Sequence, residues 1–198
     1  MRIFVAGASG LIGVRLVPLL IEAGHVVAGM TRSAGKADML KDLGAEPVVC
    51  DVFDAAALTE AVTAFRPGAV IHQLTDLPDN ATDIPSTAAG NARIRTEGTR
   101  NLIAAAKAAD AGRLIAQSIS WELPSEEGRA VTGEHERLVI EAGGVVIRYG
   151  QFFGPGTYYP DTPPEPPRIH VGDAARQTLP ALETPAGVTL VVDDRAFS

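Results

Sequence analysis

Short β-branched runs alternate along this chain with longer stretches in which apolar residues recur every three to four positions. Residues 3–6 read as a buried strand. Residues 11–23 read as a helix whose Leu11, Val14, Leu16, Val17, Leu20 and Ile21 share a wide apolar face. Pro18 falls inside that helix and predicts a kink, because it removes a backbone donor. The alternation continues with strands at 25–30, 47–50, 69–72, 113–117 and 144–148. Helices are predicted between them at 34–43, 55–65, 87–109 and 132–142. Strands separated by helices of this length imply right-handed crossovers and a parallel sheet. The pattern predicts an α/β fold, a doubly wound parallel sheet in three αβα layers.

After Gly150 the texture changes. Residues 154–168 hold six prolines, two glycines and two tyrosines, which reads as a Pro-rich loop, with a residual helix at 171–182 and a strand at 187–192. A single domain over residues 1–198 is expected. Aromatic residues make up only 5% of the chain, so its core must be aliphatic. The net charge of −7 argues against nucleic acid or an anionic membrane as a partner, since both require clustered cations. Cys50 is the single cysteine and cannot form an internal disulfide, and no metal-type Cys/His cluster is present in the sequence. No signal-type lead-in and no run near the ~20 apolar residues of a membrane span is present, so a cytoplasmic protein is expected.

Candidate chemistry begins at the first strand. Gly7, Gly10 and Gly13 are spaced GxxGxxG between that strand and the first helix. Gly7 permits a tight turn, Gly10 a close approach to a pyrophosphate, and Gly13 close packing of helix on sheet, while the helix start offers free amides. Gly7, Ser9, Gly10, Leu11, Ile12 and Gly13 are therefore candidate cofactor contacts in a Rossmann-type fold; glycine spacing alone also suits a plain strand–helix turn. An NAD enzyme places a carboxylate on the adenosine ribose about 20 residues further on. The second strand here ends in Thr31, Arg32 and Ser33, with no acid. Arg32 can pair with a 2′-phosphate, Thr31 and Ser33 can add hydroxyls, and Lys36 can contribute from the next turn, which favours NADP(H) over NAD(H). The bland alternative is a solvated helix start whose Arg32 touches water.

The glycine spacing, Asp51-Val52, the run Val70 to Gln73, Glu97 to Leu102, Arg148-Tyr149-Gly150 and His170 to Ala175 together resemble the NAD(P)-dependent epimerase/dehydratase family of extended or atypical short-chain dehydrogenases/reductases. That resemblance implies that Asp51 and Val52 contact the adenine, and that Gln73 and Leu74 line the path to the nicotinamide ribose. It also implies a small-molecule substrate and a possible homodimer through the long helix. The family's usual proton relay is a Tyr and a Lys spaced YxxxK. No YxxxK occurs, and the matching positions hold Gly128 and Thr132. The resemblance places a substrate-facing hydroxyl at Ser118, which equally suits a strand-end serine bonded to local backbone. Tyr149 is a candidate proton donor or a packing residue, and Tyr158 and Tyr159 are candidates to close over a substrate. His72 reads as structural, His170 as positional, and His25 and His135 as ordinary surface or helix residues. Glu122, Glu126 and Glu127 read as a solvated loop. Extended members carry a smaller C-terminal subdomain, whereas this sequence passes from Gly156 to a VVDD-like stretch at residues 190–194, so an open or partner-completed substrate side is expected. Two functions fit: an NADP(H)-dependent oxidoreductase or epimerase/dehydratase-type enzyme with a non-standard site, or a non-catalytic NADP(H)-binding sensor or scaffold.

Overall fold

The computed structural model describes residues 1–193, and Asp194 of the VVDD-like stretch lies outside them. The strands are β1 (Arg2–Ala6), β2 (Val26–Thr31), β3 (Glu46–Val49), β4 (Ala69–His72), β5 (Arg113–Ile119), β6 (Val145–Tyr149), β7 (Gln151–Phe153), β8 (Arg168–His170) and β9 (Gly187–Val191). The helices are α1 (Gly13–Glu22), α2 (Ala37–Asp42), α3 (Ala55–Phe65), α4 (Ile84–Arg93), α5 (Thr99–Ala108), α6 (Glu126–Glu141) and α7 (Val171–Thr178). The main sheet runs β3-β2-β1-β4-β5-β6-β9, and every neighbouring pair is parallel. The chain winds outward from β1 to β3, returns to β4 and winds the other way. The resulting crevice at the carboxyl ends of β1 and β4 is where such sheets bind ligands.

Alternation along the strands builds both faces of the core. Ile3, Val5, Ile71, Ile115 and Ile147 face Leu16, Val17 and Leu20 of α1, Leu40 of α2 and Val171 of α7. Phe4, Ala6, Val70, Ala116 and Val146 face Leu58 and Val62 of α3, Leu102 and Ala105 of α5 and Val139 of α6. This Rossmann-type three-layer arrangement has a largely aliphatic core, as the low aromatic content requires. No helix among the described residues is long and apolar enough to cross a membrane.

α1 includes Pro18, as the pattern predicts, with Leu16, Val17 and Leu20 buried around it. Other elements depart from the sequence pattern. The helix predicted at 87–109 is three pieces, with a π-turn over Ile94–Gly98 between α4 and α5. α6 starts at Glu126, well before the predicted residue 132. The Ser125 hydroxyl accepts the Gly128 N–H there, and Glu126 and Glu127 face the positive end of the helix dipole. Gly128 and Gly133 break the apolar periodicity that would have revealed this first half. Finally, β7 and β8 form a small parallel pair bracketing the Pro-rich segment, and α7 gives way to a 3₁₀ turn over Leu179–Leu182.

Candidate functional site

The phosphate loop is shaped by what its glycines exclude. Gly7 has φ +88°, and a β-carbon there would lie 2.7 Å from the Gln73 carbonyl. A β-carbon on Gly13 would overlap the Gly7 and Ala8 carbonyl oxygens, so α1 can start this close to the sheet only from glycine. Gly7 and Ala8 both donate their N–H to the Met30 carbonyl, which pins the loop to the end of β2. Gly10 is exposed. Among the described residues, the N–H groups of Ser9, Leu11 and Ile12 have no protein acceptor. A bare glycine surface ringed by free amides at a helix start fits a pyrophosphate.

Beside the loop, the Ser9 hydroxyl donates to Thr31 Oγ1 at 2.9 Å, and the Ser33 N–H donates to the same oxygen at 3.2 Å. Thr31 is buried, so its hydroxyl holds this corner together, while Arg32 and Ser33 are exposed. Arg32 does not simply point into water: its Nη2 donates to Asp76 Oδ1 at 3.0 Å. The acid missing from β2 arrives from the loop after β4. Asp51 is exposed and accepts the Phe53 N–H at 2.9 Å, while Val52 is buried and its carbonyl accepts from Asn101 Nδ2. The Leu74 backbone is bound from both sides, its N–H to His72 Nδ1 and its carbonyl to Gln117 Nε2. Gln73 is buried and turns its amide inward, donating to the Tyr149 hydroxyl at 3.2 Å.

The two catalytic candidates are both withdrawn. Tyr149 is 1% exposed, its hydroxyl is bonded to Thr178 at 2.6 Å, and burial pushes its pKa up to about 12 despite its Thr178 and Gln73 hydrogen bonds. Ser118 is also 1% exposed, and its hydroxyl donates to Glu136 Oε1 at 2.6 Å. In this geometry neither hydroxyl faces an open cleft. Glu136 is the hub of this corner: Arg148 Nε donates to its Oε1 at 2.9 Å and Arg148 Nη2 to its Oε2 at 2.5 Å. Burial raises the Glu136 carboxyl, but Arg148 and Ser118 together outweigh it and hold the group below the ordinary carboxylate range. Gly128, Thr132 and Glu136 are spaced by four on α6 and so stack on one face. A cavity of about 310 Å³ lies there, lined by Ser120, Trp121, Arg129, Thr132, Glu136 and Arg148 among others. Among the described residues, the buried hydroxyls of Ser120 and Thr132 have no hydrogen-bond partner. Glu122, Glu126 and Glu127 are all exposed, but only Glu122 lies in a loop, since Glu126 and Glu127 open α6.

Sequence reasoning missed what lies behind that cavity. His135 is not a surface residue but is 1% exposed. His72 Nδ1 accepts the Leu74 N–H, so its Nε2 carries the proton toward Thr99 Oγ1 at 3.1 Å. His135 Nε2 must donate to the Gln117 carbonyl at 2.9 Å, which leaves its Nδ1 to accept from Thr99 at 2.8 Å. Burial lowers both rings, and the buried guanidinium of Arg95 adds to this. His135 falls to about 4 and His72 well below its ordinary value. Arg95 Nη1 itself has no hydrogen-bond partner among the described residues. The charge-free face of α6 marks His135 alone, and the cluster as a whole has no sequence signature, because its members come from β4, the π-turn, α5 and α6. The Pro-rich segment has a definite place too. Arg15 Nη2 donates to the Pro155 carbonyl at 2.6 Å, and the Tyr158 hydroxyl donates to the Pro78 carbonyl at 2.6 Å. The segment thus ties the start of α1 to the loop after β4.

Residues 7–134 match the profile of an NAD(P)H-binding family. A 3-diazoavenalumate denitrifying reductase from a Streptomyces species is 40% identical over 219 aligned residues, covering 98% of this chain and 69% of that protein. A Stigmatella aurantiaca ketoreductase acting on 4-hydroxy-2-methyl-3-oxo-4-farnesyl-3,4-dihydroquinoline-1-oxide is 31% identical, over 75% of this chain and 49% of its own length. Among solved structures, the Thermus thermophilus UDP-glucose 4-epimerase complex with NAD superposes with a TM-score of 0.80 at 20% identity, covering 98% of this chain and 78% of the epimerase. The chain belongs to the NAD(P)H-binding family, on the fold of the NAD-dependent epimerases and dehydratases of the extended short-chain dehydrogenase/reductase group.

Proposed function

We propose that this protein is an NADP(H)-dependent reductase of a small molecule that works without the Tyr/Lys proton relay. The observation that carries the reading is the contrast within one cleft. The phosphate loop keeps its free amides, while the sequence holds no YxxxK and the Ser118 and Tyr149 hydroxyls are spent inside the protein. Ser9, Gly10, Leu11 and Ile12 hold the pyrophosphate, and exposed Arg32 with Ser33 meets a 2′-phosphate. Asp51 and Val52 border the adenine, and Gln73 and Leu74 shape the floor beyond it. When bound, the dinucleotide supplies a hydride.

The chain's own residues then orient the substrate rather than protonate it. Reduction of a ketone leaves an alkoxide that needs a proton. Reduction of an aryl diazonium exchanges a C–N bond for C–H and releases N₂, with no alkoxide to quench. An electron-poor acceptor of that kind suits a site lacking a phenol, and the Streptomyces relative is a reductase acting on a diazo compound. The substrate sits against Ser120, Thr132 and Trp121 in the cavity beside β5 and β6.

The test is NADPH oxidation followed by absorbance, with aryl diazo compounds, ketones and enones offered side by side. Faster turnover of the diazo compounds is expected. Tight NADPH binding without turnover of any acceptor would overturn the enzyme reading and favour a cofactor-binding sensor. Equal affinity for NADPH and NADH would overturn the cofactor preference.

A further inference from the structure

We infer that Asp76 is a specificity-determining residue of the cofactor site, acting as a counter-charge that restrains Arg32 and narrows the preference for a 2′-phosphate. The inference rests on the dinucleotide reading above and goes beyond it by naming what sets the selectivity. Arg32 is the first residue past β2, and Asp76 follows β4 by a few residues. β1 lies between those two strands, so the Arg32–Asp76 pair passes above the carboxyl end of β1, where Gly7 opens the phosphate loop.

The fold is built to hold Asp76 there. Its N–H donates to Asn91 Oδ1 at 3.2 Å, and its carboxylate rests against Gly90, where a β-carbon would overlap Oδ2. Gly90 lies inside α4, where glycine is a poorer helix former than alanine. Seating the Asp76 carboxylate gives that glycine a reason. The side chains of Arg32 and Asp76 are 70% and 27% exposed, so the pair is held by its seat more than by its own Coulomb energy.

Two consequences have the same sign. A carboxylate beside Arg32 repels the dianionic 2′-phosphate of NADP(H) and competes for the guanidinium. The same carboxylate can accept a hydrogen bond from the ribose hydroxyls of NAD(H), the task a carboxylate after β2 performs in NAD enzymes. Asp76 therefore pulls the site toward NAD(H) and Arg32 toward NADP(H), and their balance sets the ratio.

Dissociation constants of NADP⁺ and NAD⁺, and of the fragments 2′,5′-ADP and 5′-ADP, would be measured by calorimetry on the full chain. The variants are Asp76→Asn and Gly90→Ala. Asp76→Asn is expected to raise the NADP⁺/NAD⁺ affinity ratio about five- to tenfold, with the two fragments following the same order. Gly90→Ala keeps the charge, favours the helix and displaces the carboxylate, so it is expected to move the ratio the same way by about two- to fivefold. Wild-type protein that binds dinucleotides, with a ratio unmoved or lowered in both variants, overturns the inference alone. Wild-type protein that binds no dinucleotide overturns the underlying reading and the inference with it.

Discussion

The cofactor side of the cleft and the side formed by β5, β6 and α6 are built on opposite plans. On the cofactor side the chain presents backbone: free amides at Ser9, Leu11 and Ile12 around an exposed Gly10. On the other side it presents side chains, of which the two catalytic candidates are already committed, Ser118 with Arg148 to Glu136 and Tyr149 to Thr178 and Gln73, while the Ser120 and Thr132 hydroxyls are left without partners among the described residues. Backbone amides at a helix start cannot be removed by ordinary substitution, whereas side-chain groups can. The contrast teaches that affinity for a dinucleotide and the means of moving a proton are separable on this sheet.

The hardest way to break that contrast is to attack the backbone itself. Gly7→Ala places a β-carbon against the Gln73 carbonyl at positive φ, for about 3 kcal/mol of strain. Dinucleotide affinity is expected to fall by about 100-fold, read by calorimetry together with the melting temperature. Unchanged affinity would mean the loop is not the binding element.

An effect on stability of comparable size comes from pH. His135 has a folded pKa of about 4 against 6.5 for the free side chain, so the unfolded chain binds the proton first as pH falls. Stability is therefore complete above about pH 6.5, declines through the interval down to about 4, and levels off below for this group. The loss amounts to about 3 kcal/mol for His135, and His72 adds in the same direction. Urea unfolding across that range measures it, and His135→Asn should flatten the slope.

Next comes Glu136→Gln, which strips the charge from the hub beneath the cavity. Arg148 is half exposed, which discounts the loss to about 1–3 kcal/mol of stability. Cofactor affinity should stay within about twofold, because the hub and the phosphate loop share no hydrogen bond. A large fall in affinity would erase the separation between the two sides.

The smallest expected change sharpens the comparison most. Tyr149→Phe should alter kcat by less than about threefold, because its hydroxyl is buried and bonded within the core. A hundredfold fall in kcat with unchanged KM and melting temperature would restore Tyr149 as the proton donor.

These two plans also explain what was legible beforehand. The strand, the three glycines and the apolar face of α1 are contiguous, so the phosphate loop reads directly from residues 3–21. The sheet reads well for the same reason, since each strand is a short apolar run between helices. Arg32 was visible, but its partner was not, because Asp76 comes from 44 residues further along and depends on a seat at Gly90. His135 falls on the charge-free face of α6 with Val131, Leu138 and Val139, a signal of burial in the sequence, but its partners Thr99 and Gln117 come from other elements and leave no such mark. Pairings formed across the fold have no local signature, whereas turn and helix punctuation does.

The π-turn between α4 and α5 sets the angular phase between the two sides of the molecule. A π-turn holds one residue more than the α-helical ladder would, so α4 is rotated by about 100° relative to a continuous helix. That rotation brings Gly90 and Asn91 under Asp76 while Leu102 and Ala105 of α5 stay buried against the sheet. A one-residue deletion within Ile94–Gly98 would leave the composition nearly untouched and turn the seat of Asp76 away from the cleft. In this protein, gaps and insertions are as informative as substitutions, because a single residue works there as a gear tooth.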